Sequence, residues 1–434
     1  MRAPVADMVA WSGAAQVAGA EGVTCDGATA DSREVSAGQL FVGVPGENVD
    51  GGLHAAQAIA AGAGAVLISE DAWASISGDL GDADAAVLVH ADPVQALGLI
   101  GRGALARLGA KVVGVTGSYG KTSTKDSIGA VLRAAGVRAE GTPGNRNTEV
   151  GVPLSILGLP EDTAVAVIEM GMRGTGQIAQ LAALAPPDVA VITAVGPVHL
   201  ELLGTVEAIA AAKAEILVGL PADGVAVVPA DEPLLEDHIA ALPTGVAVRT
   251  FGDDPAIALS AGDLKAWERR NIAAAVEAAI ALGTAPQPGA EVVLERSAMR
   301  GIEHPLPGGG TLIEDCYNAN PPAMAAALAD LCRRPGRHVA VLADMLELGP
   351  DEAAFHRGVG ERARDLGVEL LVAVGPRAAS YPEGAEGVEA VTFADTDAAV
   401  QGVPALIAPG DVVLVKGSRG MAMERVARAI TGGA

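Results

Sequence analysis

One short stretch of the chain combines glycines, a lysine and hydroxyl side chains in a pattern that suits phosphate binding. The residues are Gly117, Ser118, Gly120, Lys121 and Thr122. Glycines allow backbone N–H groups to approach phosphate oxygens closely. In such loops the lysine reaches the β- and γ-phosphates and the threonine hydroxyl binds Mg²⁺. A helix that begins at the loop would add a favourable dipole for the anion.

The loop departs from the common GxxxxGK[ST] spacing, because Val115 stands at the first glycine position and the glycine comes one residue earlier, at Gly114. A chance Gly-Lys-Thr in a turn is the alternative interpretation. The Val-rich stretch before the loop and the helical stretch after it disfavour that alternative. The sequence therefore predicts nucleotide binding. The reaction stays open at this point, because kinases, GTPases and ligases all use such loops.

Three further side chains have types that could bind a metal ion. Glu169 ends an apolar run, where parallel sheets place ligand-binding groups, and a carboxylate suits Mg²⁺. A structural ion-pair partner is an equally good interpretation of Glu169 alone. His199 follows a second apolar run, where an isolated histidine is more often a hydrogen-bonded loop residue. Lys213 lies in an alanine-rich stretch, where a surface lysine paired with Glu215 is the commoner arrangement.

The elements that would position these residues are strands alternating with helices from about residue 111 onward. Apolar runs typical of buried parallel strands are KVVGVTG, AVAVIEM, DVAVITAV, GVAVVPA, VAVRTFG, TLIEDC, HVAVLAD, ELLVAVG and DVVLVKG. Stretches of helical length lie between them, for example at 122–135, 206–220 and 321–332. We predict an α/β protein of three domains, 1–104, 105–298 and 299–434, with the second boundary just before the segment HPLPGGG.

Composition excludes several classes of protein. Since 50% of the residues are hydrophobic and only 2% aromatic, the cores must consist mainly of Ala, Val, Leu and Ile. A net charge of −24 argues against nucleic acid as a partner. The three scattered cysteines fit a reducing cytoplasm and no disulfide framework. No apolar run reaches the roughly 20 residues that cross a bilayer, so we expect no membrane insertion.

Seven segments after the loop resemble the Mur ligase family in sequence and in order. They are GNRNTEVGVP, IEMGM, GPVHLELLGT, AAKAEI, DCYNANP, DMLELG and KGSRGMAME. The last three look like the branch of the family that adds D-alanyl-D-alanine. DSREVSAGQLFVGVPGENVDG, before the loop, resembles the family's uridine-nucleotide-binding domain more weakly. The resemblance implies an N-terminal α/β domain for a UDP-linked substrate, a central P-loop ATPase-like parallel sheet and a C-terminal Rossmann-like α/β domain for the incoming dipeptide.

The reaction implied by the resemblance is ATP-dependent, ADP-forming joining of D-alanyl-D-alanine to UDP-N-acetylmuramoyl-tripeptide. A substrate carboxylate would attack the γ-phosphate of ATP to give an acyl phosphate, which the amine then attacks. The enzyme would act as a cytoplasmic monomer in peptidoglycan synthesis. The alternative is a Mur-type amide ligase for another carboxylate and amine pair in a specialised peptide pathway. It is motivated by departures from the family pattern at Gly52, Ala194, Pro229, Ala274, Cys316 and Ala343.

The resemblance also implies roles for individual residues. Two Mg²⁺ ions would be bound by Thr122, Glu169, His199 and Lys213, with Lys213 carbamylated so that it offers an anionic oxygen. The implied catalytic residues are Lys121, Glu169, His199 and Lys213. ATP would be bound by the loop together with Asn271, Arg300 and Asp315. The implied substrate-binding residues are Ser32, Arg33, Asn145, Asn147, Thr148, Asn318, Asn320, Lys416, Ser418 and Arg419. Turn formation by asparagine and serine is the alternative for the loop residues of the third domain.

Overall fold

The computed structural model of the chain describes residues 1–80, 84–198, 200–294 and 299–432. The strands of the first α/β unit are β1 (Arg2–Pro4), β2 (Ala15–Ala18), β3 (Thr24–Asp26), β4 (Ala28–Thr29), β5 (Leu40–Val42), β6 (Ala65–Ile68) and β7 (Ala86–Val89). Its helices are α1 (Val5–Ser12), α2 (Ala55–Ala60), α3 (Glu70–Leu80) and α4 (Pro93–Leu108). The sheet order is β2-β7-β6-β5-β4, with β2 antiparallel at the edge, and β1 pairs separately with β3.

The central unit contains the predicted phosphate loop. Its strands are β8 (Lys111–Thr116), β9 (Ala139–Gly141), β10 (Val165–Glu169), β11 (Val189–Ile192), β12 (Val225–Pro229) and β13 (Ala247–Phe251). Its helices are α5 (Lys121–Ala134), α6 (Gly151–Leu157), α7 (Gln177–Leu184), α8 (Leu200–Leu203), α9 (Val206–Ala214), α10 (Glu236–Ala240) and α11 (Ala266–Ala281). The six strands are parallel in the order β13-β12-β11-β8-β10-β9, so β8 lies inside the sheet.

The third unit has a second six-stranded sheet, of order β14-β15-β19-β16-β17-β18, in which only the edge strand β14 is antiparallel. The strands are β14 (Ile302–Pro305), β15 (Thr311–Asp315), β16 (His338–Ala343), β17 (Leu370–Val374), β18 (Glu389–Phe393) and β19 (Val412–Lys416). The helices are α12 (Pro321–Leu331), α13 (Glu352–Leu366), α14 (Tyr381–Gly384), α15 (Thr396–Gly402) and α16 (Glu424–Thr431).

Strand side chains alternate between the two faces of each sheet, and both faces of the central sheet are covered by helices. Val112 on β8 points into one apolar cluster, whereas Val113 and Val115 point into the other. Burial on both faces explains why these strands are uninterrupted apolar runs in the sequence. The predicted fold class, three α/β units with largely parallel sheets, is confirmed.

The first and central units share one apolar core. A single buried cluster extends from Leu40 and Leu88 of the first sheet, through Ile100 of α4, to Ile168 of the central sheet. Gly101 permits this close contact, since a Cβ there would stand 2.6 Å from the Cβ of Pro153 on α6. The predicted boundary at residue 104 lies within α4, and the one at residue 298 lies outside the described residues. Both boundaries stay predictions.

Among the described residues, no helix is both long enough and apolar enough to cross a bilayer.

Candidate active site

The phosphate-binding loop connects the carboxyl end of β8 to the N-terminus of α5. At Gly117 a Cβ would stand 2.0 Å from Oγ1 of Thr193, which follows the neighbouring strand β11. Gly120 has a left-handed backbone, with φ of +80°. Both positions therefore require glycine. The sequence folds here as predicted, with a buried strand, a glycine-dependent turn and a helix.

Lys121 is the first residue of α5 and is held over the loop. Its Nζ donates to the carbonyl of Gly117 at 2.7 Å and to that of Ser118 at 3.4 Å. Burial lowers the pKa of Lys121, the carboxylate of Glu169 raises it and the guanidinium of Arg300 lowers it. The ammonium is thus pre-positioned beside the loop without an ion-pair partner in direct contact among the described residues.

Glu169 ends β10, the strand beside β8, and is 1% exposed. Its backbone N–H donates to Oγ1 of Thr142 at 3.1 Å, and its Oε1 accepts from Nδ2 of Asn147 at 2.8 Å. The other carboxylate oxygen, Oε2, is buried and has no hydrogen-bond partner in the described part of the chain. A buried carboxylate oxygen without a partner is costly, and a bound cation would remove that cost.

Lys213 lies in the last turn of α9 with its side chain fully buried, at 0% exposure. Its Nζ has no hydrogen-bond partner among the described residues. Glu215 instead accepts hydrogen bonds from the backbone N–H groups of Gly176 and Ala179. Burial, with a contribution from the charge of Lys121, lowers the pKa of Lys213 well below its ordinary value. The alternative of a surface lysine paired with Glu215 is therefore wrong.

Arg300 extends from the third unit to the phosphate loop. Its Nη2 donates to Oγ1 of Thr122 at 3.0 Å. Its guanidinium carbon lies 3.8 Å from the centroid of the Tyr317 ring, a stacking contact that orients the planar group. The loop and the third unit thus meet at the hydroxyl that such loops use for Mg²⁺.

Asn271, on α11, also contacts the start of α5. Its Oδ1 accepts a hydrogen bond from Oγ1 of Thr124 at 3.1 Å. A Cβ at Gly120 would stand 3.5 Å from the same oxygen. The side chain therefore lies immediately beside the loop, as a nucleotide contact requires.

Asp315 and Lys416 end the paired strands β15 and β19 at equivalent positions. The Lys416 Nζ forms an ion pair with Oδ2 of Asp315 at 2.6 Å and donates to the carbonyl of Asn318 at 3.0 Å. The Lys416 side chain is 3% exposed. Two residues assigned to different substrates, the nucleotide and the dipeptide, are therefore linked directly.

The remaining third-domain residues make local contacts. Oδ1 of Asn320 accepts from the backbone N–H of Ala323 at 3.0 Å and so caps α12, as the turn-forming alternative predicts. Oγ of Ser418 accepts from the backbone N–H of Leu346 at 2.9 Å. Arg419 pairs with Glu424 at 2.8 Å. The contacts of these residues with the dipeptide stay predictions.

A cleft of about 1290 Å³ lies between the central and third units and is lined by most of the predicted site residues. Those that line it are Ser118, Gly120, Lys121, Thr122, Asn145, Asn147, Thr148, Glu169, Asn271, Arg300, Asp315, Asn318, Asn320, Lys416, Ser418 and Arg419. Gly117 and Lys213 are not part of the lining. The predicted metal ligand His199 lies outside the described residues.

Ser32 and Arg33 of the first unit are elsewhere and do not line this cleft. Oγ of Ser32 donates to Oε1 of Gln57 at 3.1 Å. Arg33 forms a two-bond ion pair with Asp31, with distances of 2.6 and 2.9 Å, and this hydrogen-bonded pair lowers the pKa of Asp31 to about 2. Since the Arg33 side chain is 79% exposed, its guanidinium remains open to solvent. Its contact with a UDP group stays a prediction.

Several of the residues that depart from the family pattern are buried inside the protein. Cys316 is fully buried, packs in the same apolar cluster as Ala343, and its Sγ donates to the carbonyl of Val415 at 3.3 Å. Ala274 is 1% exposed. At Gly52 a Cβ would stand 2.6 Å from that of Ala72, so the local packing is matched to glycine. Two further departures, Ala194 and Pro229, do line the cleft.

Some positioning residues were not predicted from the sequence. Tyr317 stacks on Arg300. Its place inside the segment DCYNANP is a signal that could have identified it. Lys125 is 4% exposed, and its Nζ donates to the carbonyls of Thr142 at 2.6 Å and Gly144 at 3.4 Å. It comes four residues after Lys121, on the same face of α5. Lys125 thereby connects the nucleotide helix to the segment that orients Glu169.

Comparisons with known proteins agree with this arrangement. Three family models match: the Mur ligase family catalytic domain at residues 24–105, the Mur ligase middle domain at 115–282, and the Mur ligase glutamate ligase domain at 302–419. The UDP-N-acetylmuramoyl-tripeptide–D-alanyl-D-alanine ligase of Bacillus subtilis is 35% identical over 93% of this chain and 92% of its own length. The enzyme of that name from Escherichia coli is 33% identical, over 94% of both chains.

Solved structures show the same similarity. MurF from Acinetobacter baumannii superposes with a TM-score of 0.85 and 27% identity, over 100% of this chain and 99% of that one. MurF ligase from Thermotoga maritima, in complex with ADP, superposes with a TM-score of 0.78 and 29% identity, over 93% and 97% of the two chains. The chain therefore belongs to the Mur ligase family and is most like MurF.

Proposed function

We propose that this chain is an ATP-dependent, ADP-forming ligase that joins D-alanyl-D-alanine to UDP-N-acetylmuramoyl-tripeptide in peptidoglycan synthesis. One observation carries the proposal. The phosphate loop, Glu169 and the third-domain loops face one cleft, in a chain that matches enzymes of this name over 93% and 94% of its length.

Each part of the chain has its own task in this proposal. Residues 1–104 bind the UDP-linked substrate, residues 105–298 bind ATP, and residues 299–434 bind the dipeptide. The enzyme acts as a monomer in this proposal. The three cysteines are free thiols, which supports a reducing, cytoplasmic location, where ATP is also available.

Bond formation proceeds in two displacements. A carboxylate oxygen of the tripeptide attacks the γ-phosphorus of ATP, the bond to the β–γ bridging oxygen breaks, and ADP leaves. The amine of the dipeptide then attacks the acyl carbon, loses a proton, and inorganic phosphate leaves. Lys121 and Arg300 carry the positive charges next to the loop that stabilise negative charge on the transferred phosphoryl group. Because no covalent enzyme intermediate forms, the protein contributes mainly positioning and electrostatics.

Mg²⁺ fits the donor groups of this site. Thr122, Glu169, His199 and carbamylated Lys213 are the residues that would bind two ions, which supply neutralisation of phosphate charge when present. The buried Oε2 of Glu169 lacks a hydrogen-bond partner among the described residues, as expected of a metal-binding oxygen. The Thr122 hydroxyl accepts one hydrogen bond from Arg300 and keeps a second lone pair.

The buried state of the Lys213 amine supports its carbamylation. Burial favours the neutral amine, which can attack CO₂ to form an N–C bond and release one proton. The product is an anion with two oxygens, which a hard metal ion prefers to an amine. Incubation with ¹³C-labelled bicarbonate should give a carbamate ¹³C resonance that is absent in Lys213→Met. Retention of the signal in that variant would exclude Lys213 as the modified residue.

The decisive experiment measures phosphate release from ATP and Mg²⁺ with UDP-N-acetylmuramoyl-tripeptide and D-alanyl-D-alanine, with the product mass determined in parallel. Release that requires both substrates, with a pentapeptide product, is expected. Turnover with only another carboxylate and amine pair would support the alternative ligase of a specialised pathway. Cys316, Ala343 and Ala274 face the interior, so these three departures give no reason to prefer that alternative.

A further inference from the structure

His356 lies on α13 and is completely buried, at 0% exposure. Its Nε2 accepts a hydrogen bond from the backbone N–H of Met345 at 3.0 Å. Its Nδ1 lies 2.6 Å from the carbonyl oxygen of Glu352. Since a carbonyl oxygen can only accept, Nδ1 carries the proton and Nε2 does not. The neutral ring therefore joins the two ends of the segment 345–352, which we call the 345–352 loop.

The other side of this loop is held by Ser418. The Ser418 Oγ accepts from the backbone N–H of Leu346 at 2.9 Å, and the Ser418 N–H donates to the carbonyl of Asp344 at 3.1 Å. Between these attachments, Leu346, Glu347 and Leu348 line the cleft. Glu347 has a left-handed φ of +63°, a conformation that a non-glycine residue keeps only where its surroundings impose it. The loop is thus clamped between His356 and Ser418.

We propose that His356 is a positioning residue for the amine substrate: its neutral ring holds the 345–352 loop so that the loop and Ser418 form one wall of the dipeptide subsite. This inference rests on the proposed function. It assigns a part in dipeptide binding to a residue that does not line the cleft. His356 acts on the substrate only through the Met345 N–H and the loop that follows.

The surroundings of the ring make this contact sensitive to pH. The facing groups are the carboxylates of Asp344 and Glu352, the guanidinium of Arg377 and the ring of Tyr381, whose centroid lies 4.9 Å away. Burial lowers the pKa of His356, while Glu352 and Asp344 oppose that shift. The ring is therefore neutral at pH 7. Protonation in acid would turn Nε2 into a donor facing the Met345 N–H, and the hydrogen bond would be lost.

Two amide substitutions separate the roles of the ring nitrogens. In His356→Gln the terminal amide reaches the position of Nε2 and can still accept from Met345. In His356→Asn the shorter amide reaches only the position of Nδ1. We expect His356→Asn to raise KM for D-alanyl-D-alanine about tenfold, the effect of losing one buried hydrogen bond, with kcat and the KM for ATP little changed. We expect His356→Gln to keep the wild-type KM at pH 7.5.

The pH profile provides a second readout that does not depend on His356→Asn folding. Protonation of the dipeptide amine raises the dipeptide KM in acid in both proteins, but the rise should be steeper in the wild type than in His356→Gln, because the amide does not titrate. His338→Asn is the matched control. The His338 ring lies in the same unit and does not line the cleft, and its Nε2 lies 2.8 Å from the carbonyl oxygen of Arg334. Its replacement should therefore leave the pH profile of the dipeptide KM unchanged.

The outcomes distinguish this inference from the proposed function. If the wild-type enzyme makes no pentapeptide, the proposed function fails and this inference fails with it. If the wild type is active but the dipeptide KM of His356→Gln rises in acid as steeply as that of the wild type, the inference alone is overturned. Equal dipeptide KM values for a folded His356→Asn and the wild type would overturn it as well.

Discussion

Replacing Lys213 by methionine should stabilise the unmodified protein and abolish its activity. The Lys213 amine is fully buried and has no hydrogen-bond partner among the described residues. An unsatisfied buried polar group costs about 1–3 kcal/mol, whereas methionine keeps an unbranched side chain of similar length without that group. We therefore expect the free energy of unfolding to rise by at least about 1–3 kcal/mol in Lys213→Met in CO₂-free buffer. Ligase activity should be lost, because the implied metal ligand is gone.

The same substitution should change the pH dependence of stability. Because burial holds the pKa of Lys213 well below its ordinary value, the folded chain binds fewer protons than the unfolded chain between those two pKa values. The free energy of unfolding of the wild type should then rise with pH, relative to that of Lys213→Met, by up to about 1.4 kcal/mol per pH unit. The difference in unfolding free energy between Lys213→Met and the wild type should therefore shrink as the pH approaches the ordinary lysine pKa. Below the folded-state pKa the relative slope should vanish.

Urea unfolding of both proteins at several pH values, with and without bicarbonate, tests the reasoning. In buffer that contains Mg²⁺, added bicarbonate should stabilise the wild type and leave Lys213→Met unaffected, because only the lysine can form a carbamate. A methionine variant that is less stable than the wild type in CO₂-free buffer at pH 7 would refute the claim that the amine is an uncompensated buried group. A variant that keeps full ligase activity would refute the functional assignment of Lys213.

Three further predictions concern the cleft and the first domain. Lys121→Ala should reduce kcat about 10²–10³-fold or more with an unchanged circular dichroism spectrum, since it removes the cation beside the transferred phosphoryl group. Arg300→Lys should lower kcat about tenfold, measured as phosphate release, because lysine keeps the charge but loses the planar stack on Tyr317. Arg33→Ala should raise mainly the KM for the UDP-linked substrate, and an unchanged KM would remove Arg33 from that site.

Features that depend on local sequence were predictable. The nine apolar runs all form strands, and the phosphate loop has the expected strand and helix beside it, with α5 beginning at Lys121. Buried parallel strands and glycine-dependent turns leave signals within a few residues of themselves. The boundary at residue 104 stays a prediction. That residue lies inside α4, and the packing of the helix against Pro153 is not visible in its own sequence.

Contacts between distant segments were less predictable. Sequence resemblance assigned Arg300 to the nucleotide, but its hydrogen bond to Thr122 depends on how the third unit docks on the central unit. His356 carries no sign in the sequence that it joins both ends of a loop. The role of Asn147 in orienting Glu169 likewise arises from a loop residue and a strand end that are 22 residues apart in the chain.

The distribution of apolar contacts determines which part of the molecule can move around the cleft. The first and central units share one buried apolar cluster, so separating them would expose aliphatic side chains to water. Within the described residues, no buried apolar cluster joins the third unit to the other two. The contacts across that boundary include the Arg300–Thr122 hydrogen bond and the Lys265–Asp330 ion pair, at 3.0 and 2.8 Å. A hydrogen bond of this kind contributes on the order of 1 kcal/mol, and desolvation offsets much of the attraction in a largely buried ion pair. The third unit can therefore separate from the other two at a small cost in free energy. Domain closure in this enzyme should therefore move the third unit against the first and central units as one body, which makes Arg300 and Lys416 mobile relative to Lys121 during each turnover.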